Sequence, residues 1–177
     1  ILNLEKINMA ILKIAKMGHP VLLQKAKKVE DPTSPKIRTL VNNMFDTLND
    51  LAGSGVGLAA PQVHVSLQVV IFETSVGKDT SLMTLINPKI KVLTKETSID
   101  WEGCLSVPGL RGQVVRPNKI KYSGLDLKGN KIETIAEDFD ARIIQHECDH
   151  LLGILYPQRM TNLSSLQFVS EARHWTK

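Results

Sequence analysis

Cysteine, aromatic side chains and long hydrophobic runs are all scarce in this 177-residue sequence. The two cysteines, Cys104 and Cys148, cannot build a disulfide framework, so nothing favours an oxidising compartment. No run approaches the roughly eighteen apolar residues of a membrane-spanning helix. Charged residues interrupt the start of the sequence, so we expect no secretory signal core there. We therefore expect an intracellular protein that does not enter a membrane.

Internal repeats, low-complexity stretches and linkers are also absent from the sequence. A hydrophobic content of 42% and a charged content of 23% are ordinary for a soluble globular protein. The length fits one domain with its own core, so we predict a single domain over residues 1–177. The sequence does not begin with methionine, and we interpret Met9-Ala10 as the natural start and residues 1–8 as an upstream extension.

The formal net charge is +4. A mildly basic surface favours an anionic partner such as ribosomal RNA. No aromatic interleaving or nucleic-acid motif accompanies the basic residues, however, so we interpret them mainly as a solvated charged face.

The most informative stretch is His146-Glu147-Cys148-Asp149-His150. Four residues make slightly more than one helical turn, so His146 and His150 stand on the same face of a helix. Two imidazoles at this spacing can bind one metal ion, and Glu147 is placed to act as a general base. Cys148 points away from that face and is expected to be a small buried apolar side chain. The pattern predicts metal-assisted hydrolysis of a carbonyl compound.

The surroundings of this motif are those of a buried helix. Acidic residues precede it, as suits the positive end of a helix, and Gly153 lies where the helix should end. A buried helix that carries two histidines and an acid needs a partner for them, and a metal ion is such a partner. The expected apolar surface and acidic start comprise Glu137, Asp138, Phe139, Asp140, Ile143, Ile144, Leu151 and Leu152.

Catalytic metal sites of this kind usually have three protein ligands and one open position, so a third ligand must come from elsewhere. A further histidine six residues after His150 is excluded, because position 156 is Tyr156. Cys104 is the stronger candidate, since a thiolate binds a borderline metal well and Gly103 permits a close backbone approach. Glu171 is the alternative, on a second predicted helix. Glu102 can support the site if it pairs with an arginine, for which Arg116 is the candidate.

The loop Gly55-Val56-Gly57-Leu58-Ala59-Ala60-Pro61-Gln62 is rich in small residues. Its glycines and two alanines leave the backbone exposed, which suits a wall against which an extended peptide can lie. Gln62 carries a neutral amide donor that can stabilise an oxyanion. The loop lacks the lysine of a phosphate-binding loop, so it does not predict nucleotide binding.

Periodicity indicates an α+β fold with mostly antiparallel sheets packed around the histidine-bearing helix. Apolar residues recur at helical spacing from Ile37 to Leu51, which predicts an N-terminal amphipathic helix. A weaker helical segment near Leu163–Ala172 predicts a C-terminal helix. Lys128-Gly129-Asn130 indicates a hairpin turn. Strands are predicted at Gln68–Phe72, Ser81–Ile86, Ile90–Leu93, Gln113–Val115, Ile120–Leu127 and Ile132–Ile135.

Three motifs in order, Gly55–Gln62, Glu102–Pro108 and Gln145–Leu151, together resemble the signature motifs of peptide deformylase. The resemblance spans the chain and includes the Leu85–Pro88 segment. It implies removal of the formyl group from the N-terminal formyl-methionine of new peptides, with release of formate. Two other classes remain open: an endopeptidase that uses Glu171 as its third ligand, and a non-enzymatic protein with a closed structural metal site.

The resemblance also implies roles for individual residues. Cys104, His146 and His150 would bind one divalent ion, and Glu147 would transfer the proton. The Gln62 amide and the Leu105 backbone N–H would stabilise the oxyanion. The expected substrate contacts are Val56, Gly57, Phe139 and Ile143 around the methionine side chain, and Arg111 along the peptide backbone.

Family members are similar in favouring Fe²⁺ while accepting Zn²⁺ or Ni²⁺, and these ligands suit all three metals. The expected substrates are formyl-methionyl peptides on nascent chains, which implies proximity to the ribosome. We expect a cytoplasmic location, with an organelle as the alternative.

Overall fold

A computed structural model describes residues 10–51, 55–76 and 79–174. The extension proposed for residues 1–8 lies outside these described residues. Within these described residues, two helices and eight strands, together with several short 3-10 segments, account for the regular structure. The elements are α1 (Pro35–Asp50), β1 (Gly57–Ala59), β2 (Val69–Val76), β3 (Asp79–Val92), β4 (Thr97–Cys104), β5 (Val107–Pro117), β6 (Lys119–Leu125), β7 (Lys131–Glu137), α2 (Asp138–His150) and β8 (Gln167–Phe168).

The strands form two sheets whose pairings are all antiparallel. The larger sheet has the order β1-β2-β3-β6-β7, and the smaller has the order β4-β5-β8. The turn that joins β6 to β7 contains the predicted Lys128-Gly129-Asn130, with Gly129 at a φ of 80°. The α+β fold class and the antiparallel sheets are confirmed.

The two helices cover opposite faces of the larger sheet. On β2, Val69 and Ile71 face the core that contains α1, whereas Val70 and Phe72 face the core that contains α2. All four are buried, which explains why β2 begins with a continuous apolar run rather than an alternating one. The predicted N-terminal amphipathic helix is α1, which begins after Ser34 and buries one face.

Helix α2 is central because it lies against both sheets. It contacts β1, β2, β6 and β7 of the larger sheet and β5 of the smaller one. Asp138 and Asp140 occupy its first turn, where carboxylates suit the positive end of the helix dipole. The chain turns away at Gly153, which has a φ of 75°. Gly153 also lies close to the backbone of residues 23 and 24, and a Cβ at this position would be 2.8 Å from that backbone. The predicted central helix is therefore confirmed with both of its ends.

The predicted C-terminal helix near Leu163–Ala172 is wrong. That stretch forms a 3-10 turn at Leu163–Ser165, the strand β8, and a 3-10 helix at Val169–His174. The Asn162 side chain accepts a hydrogen bond from the Ser164 backbone N–H at 2.9 Å, which caps the start of this short turn. Pairing of β8 with β5 then holds the following residues extended.

The strands predicted at Ser81–Ile86 and Ile90–Leu93 are one strand, β3. Its pairing with β6 shifts between Ile86 and Lys89, and Asn87 in that irregularity has a φ of 53°. The Asn87 side chain exchanges hydrogen bonds with the backbone of Val29, at 2.9 Å in each direction. A proline in the sequence thus marks an irregularity inside a strand, not its end. None of the described helices has both the length and the apolar composition needed to cross a membrane.

Candidate metal centre and active site

Three side chains from two elements converge at the end of β4. Cys104 is the last residue of β4, and His146 and His150 lie one turn apart on α2. Their sulfur and nitrogen atoms all lie within 4.8 Å of one another, and Cys104 Sγ is 3.4 Å from His150 Nε2. The spacing that predicted two imidazoles on one helix face is confirmed. Only the fold could bring the cysteine to them from more than forty residues away.

Glu102 fixes the orientation of His146. One carboxylate oxygen, Oε2, lies 2.9 Å from His146 Nδ1, which leaves Nε2 as the nitrogen directed at the centre. Arg116 holds the same carboxylate with two parallel hydrogen bonds of 2.9 Å, and Arg142 adds a third of 2.8 Å. Burial alone raises the pKa of Glu102, but the hydrogen bonds from Arg116 and His146 outweigh it and hold the pKa well below its usual range. The predicted pairing of Glu102 with Arg116 is confirmed.

The ionic cluster extends further than the sequence indicated. Arg116 also bonds Asp149 at 2.6 Å, and Asp149 accepts two bonds from Arg159. Sequence reasoning missed Arg142, Asp149 and Arg159 as members of this cluster. The only signal was position: Arg142 precedes His146 by one helical turn and Asp149 adjoins His150, which placed both near the centre without naming their partners.

Glu147 is buried beside β1 and faces the same centre. It is 5% exposed, and its Oε2 has no hydrogen-bond partner among the described residues. Burial raises its pKa to about 7, although the neighbouring His146 opposes the change. The space beside it depends on Gly57, because a Cβ at that position would lie 2.5 Å from Glu147 Oε1. Sequence analysis expected Gly57 to contact substrate, and it missed this contact with the acid.

Gln62 lies in a short 3-10 turn after β1 and directs its amide nitrogen at the centre. Its Oε1 accepts from the Ala59 N–H at 2.8 Å, which sets the orientation of the amide. Its Nε2 donates to Cys104 Sγ at 3.4 Å and to Ser106 Oγ at 3.2 Å. The backbone N–H of Ser106 also donates to the sulfur, at 3.4 Å. The cysteine sulfur therefore accepts from two donors, which hold it at the edge of the centre.

A cavity of about 520 Å³ opens beside these groups. Of the predicted substrate contacts, Val56, Gly57, Phe139 and Ile143 line it, and so does Leu105 in the tight turn between β4 and β5. Arg111, in contrast, does not line the cavity. Its guanidinium lies 4.3 Å from the ring centre of Trp101, and Trp101 is the residue that lines the cavity there. Sequence reasoning did not single out several further lining residues, including Trp101, Leu110 and Val169.

The alternative third ligand does not reach the centre. Glu171 lies in the 3-10 helix Val169–His174, is exposed, and pairs with His174 at 3.5 Å. Cys148 lies on the other side of α2 against the core, and burial raises the pKa of its thiol. Tyr156, at the position of the excluded third histidine, stacks on His146 with ring centres 6.3 Å apart.

The electrostatics of the three donors suit a cation. Burial by itself lowers the pKa of His146, but its hydrogen bonds with Cys104 and Glu102 raise it to about 10. Burial and the nearby His146 lower the pKa of His150 well below its usual value. Metal binding to a histidine nitrogen requires loss of its proton, so a metal ion would take the place of the proton on His146. A thiolate with two imidazoles is a donor set for Zn²⁺, Fe²⁺ or Ni²⁺.

Two histidines and a cysteine at the wall of an open cavity, with a buried carboxylate beside them, define a metal-dependent hydrolase. The sequence profile of the polypeptide deformylase family matches residues 11–165. The chain belongs to that family, and its activity is the removal of the N-formyl group from the formyl-methionine end of new peptides.

Individual relatives agree with this assignment. Peptide deformylase 1 of Nitrosomonas europaea is 45% identical over 86% of this chain and 89% of its own length. Peptide deformylase 2 of Ralstonia nicotianae is 47% identical over 89% of this chain and 92% of its own length. Among solved structures, the class I type b peptide deformylase of Acinetobacter baumannii with bound Met-Ala-Ser matches with a TM-score of 0.78 and 37% identity, over 86% of this chain and 99% of that one. The peptide deformylase of Synechococcus elongatus in complex with actinonin matches with a TM-score of 0.80 and 33% identity, over 93% of this chain and 87% of that one.

Proposed function

We propose that Cys104, His146 and His150 bind one divalent ion and that Glu147 moves the proton during deformylation. The observation that carries the proposal is the convergence of three donor atoms within 4.8 Å at the wall of a cavity that also contains the buried carboxylate. When bound, such an ion supplies Lewis acidity, which polarises a carbonyl and lowers the pKa of water towards about 7. Because the protein would supply only three ligands, water would be able to approach such an ion from the cavity.

Glu147 is placed to take a proton from water and to return it. As the oxygen of water bonds to the formyl carbon, the Glu147 carboxylate accepts one of the two protons of that water. The C–N bond then breaks, and the same proton goes to the departing methionine nitrogen. The products are a free amine and formic acid, which loses its remaining proton to solvent and becomes formate. The unpartnered Oε2 of Glu147 supports this role, since a buried oxygen without a donor is free to accept one.

Gln62 stabilises the oxygen that becomes negative as the formyl carbon turns tetrahedral. The bond from the Ala59 N–H holds the amide with Nε2 towards the centre. The Nε2 hydrogen that otherwise bonds the Cys104 sulfur can then turn to the oxyanion while the amide itself stays in place. We assign the backbone N–H of Leu105 as the second donor, because Leu105 follows Cys104 directly and lines the same wall.

The methionine side chain enters the apolar part of the cavity. Val56, Phe139 and Ile143 supply side chains there, and Gly57 supplies exposed backbone. Ile143 is buried while Phe139 is 58% exposed, so Ile143 belongs to the floor and Phe139 to the rim. Arg111 is placed outside the wall and would meet only the part of a peptide that extends beyond it.

Several finer statements belong to the same proposal. Fe²⁺ is the proposed physiological metal, with Zn²⁺ and Ni²⁺ as functional substitutes. The proposed substrates are formyl-methionyl nascent chains near the ribosome, in the cytoplasm or in an organelle. The bound Met-Ala-Ser of the Acinetobacter baumannii structure supports a peptide with an N-terminal methionine as the product. A match over residues 11–165 supports one catalytic domain.

The test is formate release from formyl-Met-Ala-Ser by the Fe²⁺-, Ni²⁺- and Zn²⁺-loaded protein under anaerobic conditions. Acetyl-Met-Ala-Ser is the matched control substrate, and an internal peptide bond in a longer unformylated peptide tests for endopeptidase activity. Glu147→Gln should retain the metal and release almost no formate. Absence of formate with every metal, or internal cleavage instead, would contradict the proposal.

A further inference from the structure

The chain after α2 returns to the smaller sheet and reaches the active-site cavity. Strand β8 pairs with β5, with Phe168 opposite Leu110 and Gln167 opposite Arg111. Ser165 Oγ accepts a hydrogen bond from the Gln113 N–H at 3.2 Å, which adds a second attachment to β5. The C-terminal segment is therefore held against the strand that follows the cysteine turn.

Val169, the next residue, is part of the cavity wall. Its wall neighbours are Pro108, Gly109 and Leu110, from the beginning of β5. Val169 is 52% exposed, so half of an apolar side chain is available to a bound molecule. Phe168 beside it, the last residue of β8, is 60% exposed but does not line the cavity.

The distance from the metal donors identifies what Val169 can contact. Strand β5 lies between β4, which ends at Cys104, and β8, and neighbouring strands are about 4.8 Å apart. Two such spacings amount to roughly 10 Å, which is the separation we infer between the cysteine and Val169, the residue directly after β8. An extended peptide advances about 3.3 Å per residue, so with its formyl carbon at the centre its third residue lies at that distance. The first and third side chains of an extended peptide also point to the same side, here into the cavity.

We propose that Val169 contacts the side chain of the third residue of the substrate and makes the enzyme prefer an apolar residue there. This inference rests on the proposed function. Pro108, Leu110 and Val169 offer no hydrogen-bonding side chain, so a polar side chain placed against them would lose water without gaining a partner. An apolar side chain would instead remove apolar surface from water on both sides of the contact.

The experiment compares formyl-Met-Ala-Leu-amide with formyl-Met-Ala-Asn-amide, two substrates of similar size. The wild-type protein should have a kcat/KM at least about threefold higher for the leucine peptide. Val169→Ala should bring this ratio close to one through KM, with kcat unchanged, because the contact is remote from the reacting atoms. Phe168→Ala is the matched control, from the same segment but outside the wall, and should leave the ratio unchanged.

A second variant tests the sign of the effect. The quantity to compare is the ratio of kcat/KM for formyl-Met-Ala-Asp-amide to kcat/KM for the asparagine peptide. This ratio should be about two- to fivefold higher in Val169→Lys than in wild type, as expected for a partly exposed ion pair. The inference is overturned if Val169→Ala leaves the leucine preference intact, if Phe168→Ala changes it equally, or if the effect follows the second residue of the peptide. Failure to release formate from every peptide would instead overturn the proposed function.

Discussion

Replacement of Gly57 by alanine is the sharpest test of how the fold positions the catalytic acid. The added Cβ would lie 2.5 Å from Glu147 Oε1 and 2.8 Å from Glu147 Cδ, whereas ordinary contacts begin near 3.4 Å. The carboxyl group must therefore retreat by about 1 Å. The φ of Gly57 lies outside the left-handed region, so the backbone itself tolerates alanine. The whole effect should come from the displaced acid.

A displacement of this size corresponds to about a 10²-fold loss in rate, or roughly 2.7 kcal/mol in the activation barrier. We expect Gly57→Ala to lower kcat by that factor while the bound metal stays stoichiometric, since Cys104, His146 and His150 are not touched. Formate release gives kcat, and atomic absorption on the same sample gives the metal content.

Gly55→Ala is the matched control, in the same loop. Its added Cβ would meet only Leu105 and Leu48 side chains, at 3.4 Å, which is an ordinary contact. It should keep kcat within a few-fold of wild type. If Gly57→Ala is as active as Gly55→Ala, or if it loses its metal, the close approach of Gly57 does not position Glu147 and the reasoning is refuted.

Three further changes test the other parts of the site. Gln62→Leu should lower kcat by about 10²–10³-fold with little change in KM, as measured by steady-state formate release, because one oxyanion donor is lost. Cys104→Ala should abolish tight metal binding in equilibrium dialysis, and the near-ultraviolet thiolate band of the Co²⁺ protein should disappear with it. Arg116→Leu should cost about 3–5 kcal/mol in urea unfolding, because Glu102 and Asp149 keep buried charges without their shared partner. The same variant should weaken metal affinity about 10–100-fold, because His146 loses its support.

Each of these has an outcome that would count against it. A higher KM with unchanged kcat in Gln62→Leu would assign Gln62 to ground-state binding. A Co²⁺ protein without the thiolate band would remove Cys104 from the ligand set. For Arg116, the exposed pair of Lys119 with Glu137, 2.8 Å apart, offers a control. Lys119→Ala should leave stability almost unchanged, and an equal effect of both variants would show that burial of the Arg116 cluster is unimportant.

Local sequence patterns determined the parts of this protein that depend on neighbouring residues. Helical spacing placed His146 and His150 on one face, and the acidic start and Gly153 marked the ends of α2, because these features involve a single turn of backbone. The same reasoning failed for the C-terminal helix. There the local preference was weak, and pairing of β8 with a distant strand decided the conformation.

Only the tertiary structure decided which residues meet across the chain. The cysteine could be proposed as a ligand from its chemistry and from a family resemblance, but its approach to His150 depends on how β4 packs on α2. The buried bonds that join Arg116 to Glu102 and Asp149 link residues 14 and 33 positions apart. The contact of Gly57 with Glu147 likewise exists only when β1 lies beside α2. Such contacts arise from packing in three dimensions, and no periodicity along the chain encodes them.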